Sequence, residues 1–407
     1  MKKSDLTTRL NAKTKSERLQ ALRELYEFYK SGELDMPKTG DNVNNHIHTT
    51  YSFSPYSPTK AVYMAWKSGL ATAGIMDHDS AAGAKEFIEA AKIVSLPITV
   101  GLECRCSYLG TPFEGKKFNN PDQESMAYMA IHGIPHHKIN EVESFFAPIR
   151  EKRNERNRKI LEKINKRLSI YGISMDFDKD VLPHSEYHDG GTITERTLMY
   201  ALSAKLIKND VSKQDAQDNE MARQFLLGIF KSYLIEEMYI NADDELIQLP
   251  DYIDLCNRIG AIATYPYLGD VGVSVTGDKK SHAYEDSFLE DLLPYVKGLG
   301  VRAAAYMPTR NTDEQLTRMM GLCRKYDLFQ ICGEDINSPM QKFICDKLET
   351  PEYSHLIESA WALIGHELLC ENDISNGMFA DETVNKMPEL NKRVEYFAHH
   401  ARVSFCK

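Results

Sequence analysis

Five separated stretches of this 407-residue chain end an apolar run on side chains able to ligate a metal: His46-Ile47-His48, Asp77-His78, Glu103, His132 and Asp335. Side chains alternate along a strand, so His46 and His48 leave it on one face and can grip a single ion. Asp77 and His78 close the run Ala-Gly-Ile-Met, Glu103 closes Pro-Ile-Thr-Val-Gly-Leu, and His132 closes Ala-Tyr-Met-Ala-Ile; Asp335 follows Leu-Phe-Gln-Ile-Cys-Gly-Glu. Any one of them alone reads as a cap or turn former, because short polar side chains bond the local backbone. Recurrence changes that reading, since successive strands of an α/β barrel direct their C-terminal ends at one point, where barrel active sites sit. Mixed imidazole and carboxylate ligands suit zinc, manganese or iron better than calcium, which prefers oxygen alone.

The elements that must position these groups follow from the hydrophobic pattern. Leu10, Leu19, Leu22, Leu25, Tyr26 and Tyr29 recur at near-helical intervals over residues 4–32 and stop at Ser31-Gly32, which predicts one or two helices before the barrel. Helices are expected at 58–66 and 81–94, alternating with strands. Between His132 and Tyr265 the strand rhythm gives way to expected helices at 144–169, 194–207, 218–240 and 250–259. Strand-like runs return at 260–267, 301–307 and 329–332, and helix again after Pro351. The expected organisation is an N-terminal helical segment at 1–40, an α/β barrel at 41–345 with a helical insertion at about 138–259, and a helical extension at 346–407.

The order His-x-His, Asp-His, Glu, His and a final Asp resembles the PHP family, named for polymerase and histidinol phosphatase, over roughly residues 41–345. The resemblance implies a distorted seven-stranded (β/α) barrel that holds metal ions at its C-terminal end and hydrolyses phosphate esters. It also implies that His46, His48, Glu103 and Asp335 hold one ion, with Glu103 bridging to a second that His132 shares. Four positions depart from the family pattern. Asn337 stands in the usual Asp-x-His step, Thr197 where a His is common, Tyr265-Pro266 where His-Pro is frequent, and Ser54 near another usual ligand. The third ion position keeps little beyond His78, so one to two divalent ions are expected.

Phosphate-ester hydrolysis assigns further roles. Asp77 and His78 either orient ligands or protonate the leaving group. Phosphate oxygens outside the metal shell call for a cation. Arg105 and Arg310 are the best-placed candidates, either of which equally suits a surface salt bridge, and Arg196 is a third and weaker one. The expected substrate is a small phosphorylated molecule. Two rival readings are a catalytically degenerate barrel serving as a metal-binding regulatory or interaction module, and a nuclease.

Composition bounds these readings. A hydrophobic fraction of 42% supports a large core, and no apolar stretch approaches the ~20 residues that span a bilayer. With no secretory apolar segment at the N-terminus, a cytoplasmic location is expected. A net charge of −10, from 59 acidic against 49 basic residues, argues against gripping nucleic acid, which calls for a basic stripe. The dense run from Arg150 to Lys159 is interleaved with Glu and continues into Ile160, Leu161, Ile164 and Leu168 at helical spacing, so it reads as a solvated helix face. The eight cysteines sit mostly in apolar runs without Cys-x-x-Cys spacing, as buried thiols do. Cys104-Arg105-Cys106, beside Glu103, leaves a softer metal site as an alternative.

Overall fold

Ile98–Ser107 is buried at all ten of its positions, the mark of a strand covered on both faces. In the computed structural model, which describes residues 3–120, 122–207, 213–270 and 284–405, it is the third strand of a barrel. The strands are β1 Val43–Ile47, β2 Thr72–His78, β3 Ile98–Ser107, β4 Met126–His132, β5 Ile247–Gln248, β6 Ile262–Pro266, β7 Ala303–Tyr306 and β8 Phe329–Cys332. Seven form the path β1-β2-β3-β4-β6-β7-β8, and the two-residue β5 pairs with the outer end of β3. Past β8, the backbone of Ile336 donates to the His46 carbonyl and accepts from the His48 amide. That exchange brings the two edges together into a nearly closed, distorted (β/α) barrel. One strand breaks the parallel rule: β4 runs antiparallel to both β3 and β6.

The helices preceding the insertion are α1 Lys3–Arg9, α2 Lys15–Lys30, α3 Pro58–Lys67 and α4 Ala84–Val94. Thr14 and Glu17 form a capping box that starts α2, while Ser57 caps α3 with Pro58 in its first turn. Leu19, Leu22, Leu25 and Tyr29 of α2 are buried, as their spacing predicts. The Arg18 guanidinium docks α2 on α4 by donating to both carboxylate oxygens of Glu86.

The insertion carries α5 Ile139–Leu168, α6 Glu195–Leu206 and α7 Lys213–Met238. It has a hydrophobic cluster of its own, in which Ile160, Leu161 and Ile164 of α5 meet Leu198 and Leu202 of α6 and Leu227 of α7. The chain re-enters the barrel through α8 Leu249–Ile259 and continues with α9 Leu289–Leu299 and α10 Asp313–Lys325. It finishes with α11 Ser354–Cys370, α12 Asp381–Lys386 and α13 Leu390–Phe405. Helices α11 and α13 enclose a further cluster with Ile262, Ala303, Phe329 and Ile331. No helix among the described residues is long and apolar enough to cross a membrane.

Candidate metal centre

The two histidines of the His-x-His step converge with Glu103, and His46 and Glu103 line a cavity of about 210 Å³ with the buried His48 behind them. One ligand atom from each of His46, His48 and Glu103 lies within 4.8 Å of the others. His46 Nε2 is 3.2 Å from His48 Nε2 and 3.3 Å from Glu103 Oε1. Asp335, from the segment that closes the barrel, puts Oδ1 3.2 Å from His48 Nε2. The other Glu103 oxygen, Oε2, lies 3.5 Å from His78 Nδ1, and the His48 and His78 rings are 4.7 Å apart. Glu103 thus presents one oxygen to His46 and the other to His78.

Hydrogen bonding fixes which nitrogen of His48 faces this cluster. The Ser52 hydroxyl donates its only proton to Asp77 Oδ1 at 2.6 Å, so its oxygen must accept from His48 Nδ1 at 3.3 Å. With a proton on Nδ1, Nε2 faces the His46 ring and the Asp335 carboxylate, offering a lone pair when the ring is neutral and donating to Asp335 when it is protonated. Such a gathering of lone pairs needs a proton or a cation at its centre. Burial alone would lower the His46 pKa, but the Glu103 carboxylate, helped by Asp335 and Glu334, raises it to about 9. Asp335, which burial would raise, is held well below the usual carboxylate range by its bond to His48, then by the charges of His46 and Arg196.

His132 is buried and neither of its ring nitrogens has a hydrogen-bond partner. Burial, then the charge on His46, lowers its pKa to about 3. His78 is likewise held neutral, its pKa well below the usual value through burial and the neighbouring His48 and Arg153. An unpartnered buried polar atom costs roughly 1–3 kcal/mol. Neutral imidazoles with open lone pairs beside two carboxylates are therefore a donor set that fits a divalent transition ion.

The strand-end expectation needs one correction. Because β4 is antiparallel, its C-terminal end points the other way from those of its neighbours. Ala130 pairs with Glu103, so His132 lies two residues further along β4, deeper toward the start of β3. It reaches the same cavity through the inward face it shares with Tyr128.

Asp77 is buried, faces no open space and serves the turn after β1. It accepts from the Thr49 amide at 2.7 Å, the Thr49 hydroxyl at 2.6 Å and the Ser52 hydroxyl. Burial raises its pKa, while His48, Ser52 and Thr49 oppose the rise. Cys104 and Cys106 alternate away from Glu103 and Arg105 into the hydrophobic core, where burial pushes the Cys104 thiol up. The seven described cysteines are all buried and free, and Cys406 lies outside the described residues.

The solvated-face reading of the Arg150 to Lys159 run holds for Glu151, Lys152, Glu155, Arg158 and Lys159, which are exposed, and fails for the opposite face. Arg150, Arg153 and Arg156 are buried, together with Asn154 and Asn157, because α5 turns this face onto the barrel. Arg153 donates to Asp79 and, at 3.1 Å, to Glu195. Arg156 pairs with Glu195 and, through Nε at 3.0 Å, with Glu245. Arg105 lines the cavity and joins the same network through Glu245; it is only 3% exposed, so the salt bridge it makes is a buried one and not a surface pair, and its Nε is left without a partner. The signal was present as Arg150, Arg153 and Arg156 at three-residue spacing, one face of a helix. The acidic partners, far away in sequence, gave none.

Arg310 reaches the cavity wall as well. Its Nε donates to the Leu268 carbonyl at 3.4 Å, and one terminal nitrogen is buried without a partner. Arg196 lies across from it, its head 5.1 Å from the Phe53 ring, donating to Asn337 Oδ1 at 2.9 Å. Asn337 in turn donates to Asp335 at 2.6 Å, so the amide links Arg196 to the carboxylate. The remaining departures have structural duties. Thr197 completes the capping box of α6 with Thr194, the Tyr265 hydroxyl donates to buried Glu285, and the Ser54 hydroxyl accepts from the Tyr56 amide at 3.4 Å.

No protein-family model matches the chain, and no curated protein sequence matches it. Solved structures resemble it in fold. One, from Bifidobacterium adolescentis and assigned as a metal-dependent phosphoesterase, is 19% identical with a TM-score of 0.54, the match covering 77% of this chain and 95% of that one. Another, an amidohydrolase from Chromobacterium violaceum solved with bound sulfate and no metal, is 17% identical with a TM-score of 0.52, covering 75% and 90% respectively. At these identities the likeness is one of fold.

Proposed function

We propose that this chain is a metal-dependent phosphoesterase of the PHP type, acting on a small phosphorylated molecule beneath its helical insertion. The observation that carries the reading is the convergence of His46, His48 and Glu103, with donor atoms within 4.8 Å of one another, beside a cavity that His46, Glu103 and Arg310 line. His46, His48, Glu103 and Asp335 would hold a first ion, and the second oxygen of Glu103 with His78 and His132 a second. Zinc, manganese or iron bound there supplies Lewis-acid polarisation of phosphoryl oxygens and acidifies a water. Asp77 acts through Ser52 by fixing the tautomer of His48, in the way that outer partners of metal-binding histidines do. Arg310, and Arg196 held by Asn337, would orient the phosphate by charge-assisted hydrogen bonds. Arg105 stiffens the wall through Glu245. Seven buried thiols without a disulfide among the described residues support a reducing compartment, the cytoplasm.

A second reading, a barrel that keeps its metal as a regulatory module, is favoured by Thr197 and Asn337, both occupied where the family commonly has imidazoles. The two separate by elemental analysis of protein purified without chelator, paired with a panel of phosphate esters in zinc- or manganese-supplemented buffer. The phosphoesterase reading expects one to two ions per chain and turnover of at least one ester. Bound metal without turnover of any ester favours the module, and absence of metal overturns both.

A further inference from the structure

Helix α7 has apolar residues on two faces. Leu227 is buried in the insertion's cluster, with Phe230 and Leu234 packed against it. On the other side Met221, Phe225, Ile229 and Tyr233 follow one another at four-residue intervals, and Phe225 and Tyr233 are 71% and 75% exposed. A single exposed apolar side chain is ordinary, but four in one row form a stripe. The stripe lines one wall of a cleft of about 1090 Å³ whose opposite wall is the loop after β8, including Met340 and Gln341. At 1.5 Å per residue the row runs about 18 Å.

The cleft adjoins the metal-centre cavity and shares wall residues with it. Arg196, Lys231, Met307, Arg310 and Asp335 line both. A phosphoryl group seated between Arg310 and the His46, His48 and Glu103 cluster therefore has its ester oxygen's substituent directed past these shared residues and along the stripe. A compact polyol would leave the row in water. An elongated substituent would cover it, and removal of apolar surface from water is the favourable term that selects it.

We infer that the cleft is the leaving-group subsite, and that the substrate is a phosphate ester of an elongated alcohol or phenol with an apolar, aromatic-bearing body, held by Met221, Phe225, Ile229 and Tyr233. This rests on the phosphoesterase reading for the position of the phosphoryl group. Hydrolysis cleaves the phosphorus–oxygen bond to the leaving group and adds the elements of water, releasing inorganic phosphate and the alcohol or phenol.

The test uses the full chain in manganese-supplemented buffer with phenyl phosphate and biphenyl-4-yl phosphate, which match closely in leaving-group acidity and differ in length. The expected kcat/KM preference for the biphenyl ester is about tenfold or more, the scale of one further apolar contact. Phe225→Ser and Tyr233→Ser, at exposed positions that leave the packed face of α7 intact, should each reduce that preference severalfold while leaving phenyl phosphate turnover unchanged. Equal use of both esters by the wild type, or equal losses on both esters in the variants, overturns the subsite. In parallel, binding of phenylphosphonate and biphenyl-4-ylphosphonate is measured by calorimetry. If no ester is turned over, the phosphoesterase reading fails by itself. The subsite then stands if the longer phosphonate binds more tightly and both variants remove that difference, and falls if it does not.

Discussion

Asp77→Asn separates a positioning role from an acid–base role within one side chain. The substitution keeps volume and removes charge. Oδ1 can still accept from the Thr49 amide and the Ser52 hydroxyl, but the new amide nitrogen replaces Oδ2 opposite the Thr49 hydroxyl, 2.6 Å away. That hydroxyl already accepts from the Tyr51 amide at 3.2 Å, so it must turn, accept a second bond and leave its own proton unplaced. A bond to a charged group is worth roughly 1.5–3 kcal/mol and a neutral one about 1. Weakening two bonds and losing a third should therefore cost at least about 2.5 kcal/mol, read as a lower urea midpoint with an unchanged slope. The same change loosens Ser52 and hence the Nδ1 contact that aims His48 Nε2 at the cluster. Loss of such an outer partner typically costs about 10–100-fold in metal affinity, measured by competition with a chromophoric chelator. Unchanged affinity and midpoint would refute the reasoning. An altered pH–rate profile with affinity intact would show that Asp77 donates the proton instead.

Three further expectations follow from particular residues. Arg153→Leu strips Asp79 and Glu195 of a shared buried partner and should destabilise the chain by about 3–5 kcal/mol; a urea titration giving under ~1 kcal/mol would show that Arg150 and Arg156 compensate. Glu285 is fully buried, and burial, opposed by the Tyr265 hydroxyl and the Leu268 and Gly269 amides, raises its pKa to about 7. The native state then binds the extra proton between about pH 4.5 and 7, so stability falls across that window, by an amount on the order of 3 kcal/mol above it. Glu285→Gln should gain on the wild type as pH rises from 4.5 to 7, and parallel stability curves would contradict the assignment. Asn337→Ala unhooks Arg196 from Asp335 and should raise KM for a phosphate ester severalfold at unchanged melting temperature; an unaffected KM would detach Arg196 from substrate binding.

The barrel strands were legible because buried runs such as Ile98–Ser107 end on the same kinds of polar side chain, and because His46 and His48 differ by one strand period. The direction of β4 was not. Period-two alternation is the same read either way along a neighbour, so Tyr128 and His132 gave the inward face but not the antiparallel pairing. The acidic partners of α5 were hidden for a different reason. Glu195 begins α6 and Glu245 precedes β5, so only tertiary structure brings them to Arg153 and Arg156. Interleaved glutamates made the arginine run resemble a solvated surface, although its three-residue spacing already marked a face. Thr197 illustrates the reverse limit: its capping bond to the Thr194 amide at 3.1 Å is local and was readable in Thr194-Glu195-Arg196-Thr197 as a cap.

The central claim is that Glu103 joins His46 and His78 in a metal centre that performs hydrolysis. Its most direct test is Glu103→Gln, compared with the wild type for metal content by elemental analysis and for turnover of the best ester in the same preparation. The amide keeps the side chain's volume, so the fold should survive by circular dichroism. Metal content should fall below the wild-type one to two ions per chain, and turnover should drop at least about a hundredfold, or some 2.7 kcal/mol of transition-state stabilisation. A variant that retains both its metal and its turnover, or a wild type that loses only melting temperature on this substitution because it never turned over an ester, would contradict the account.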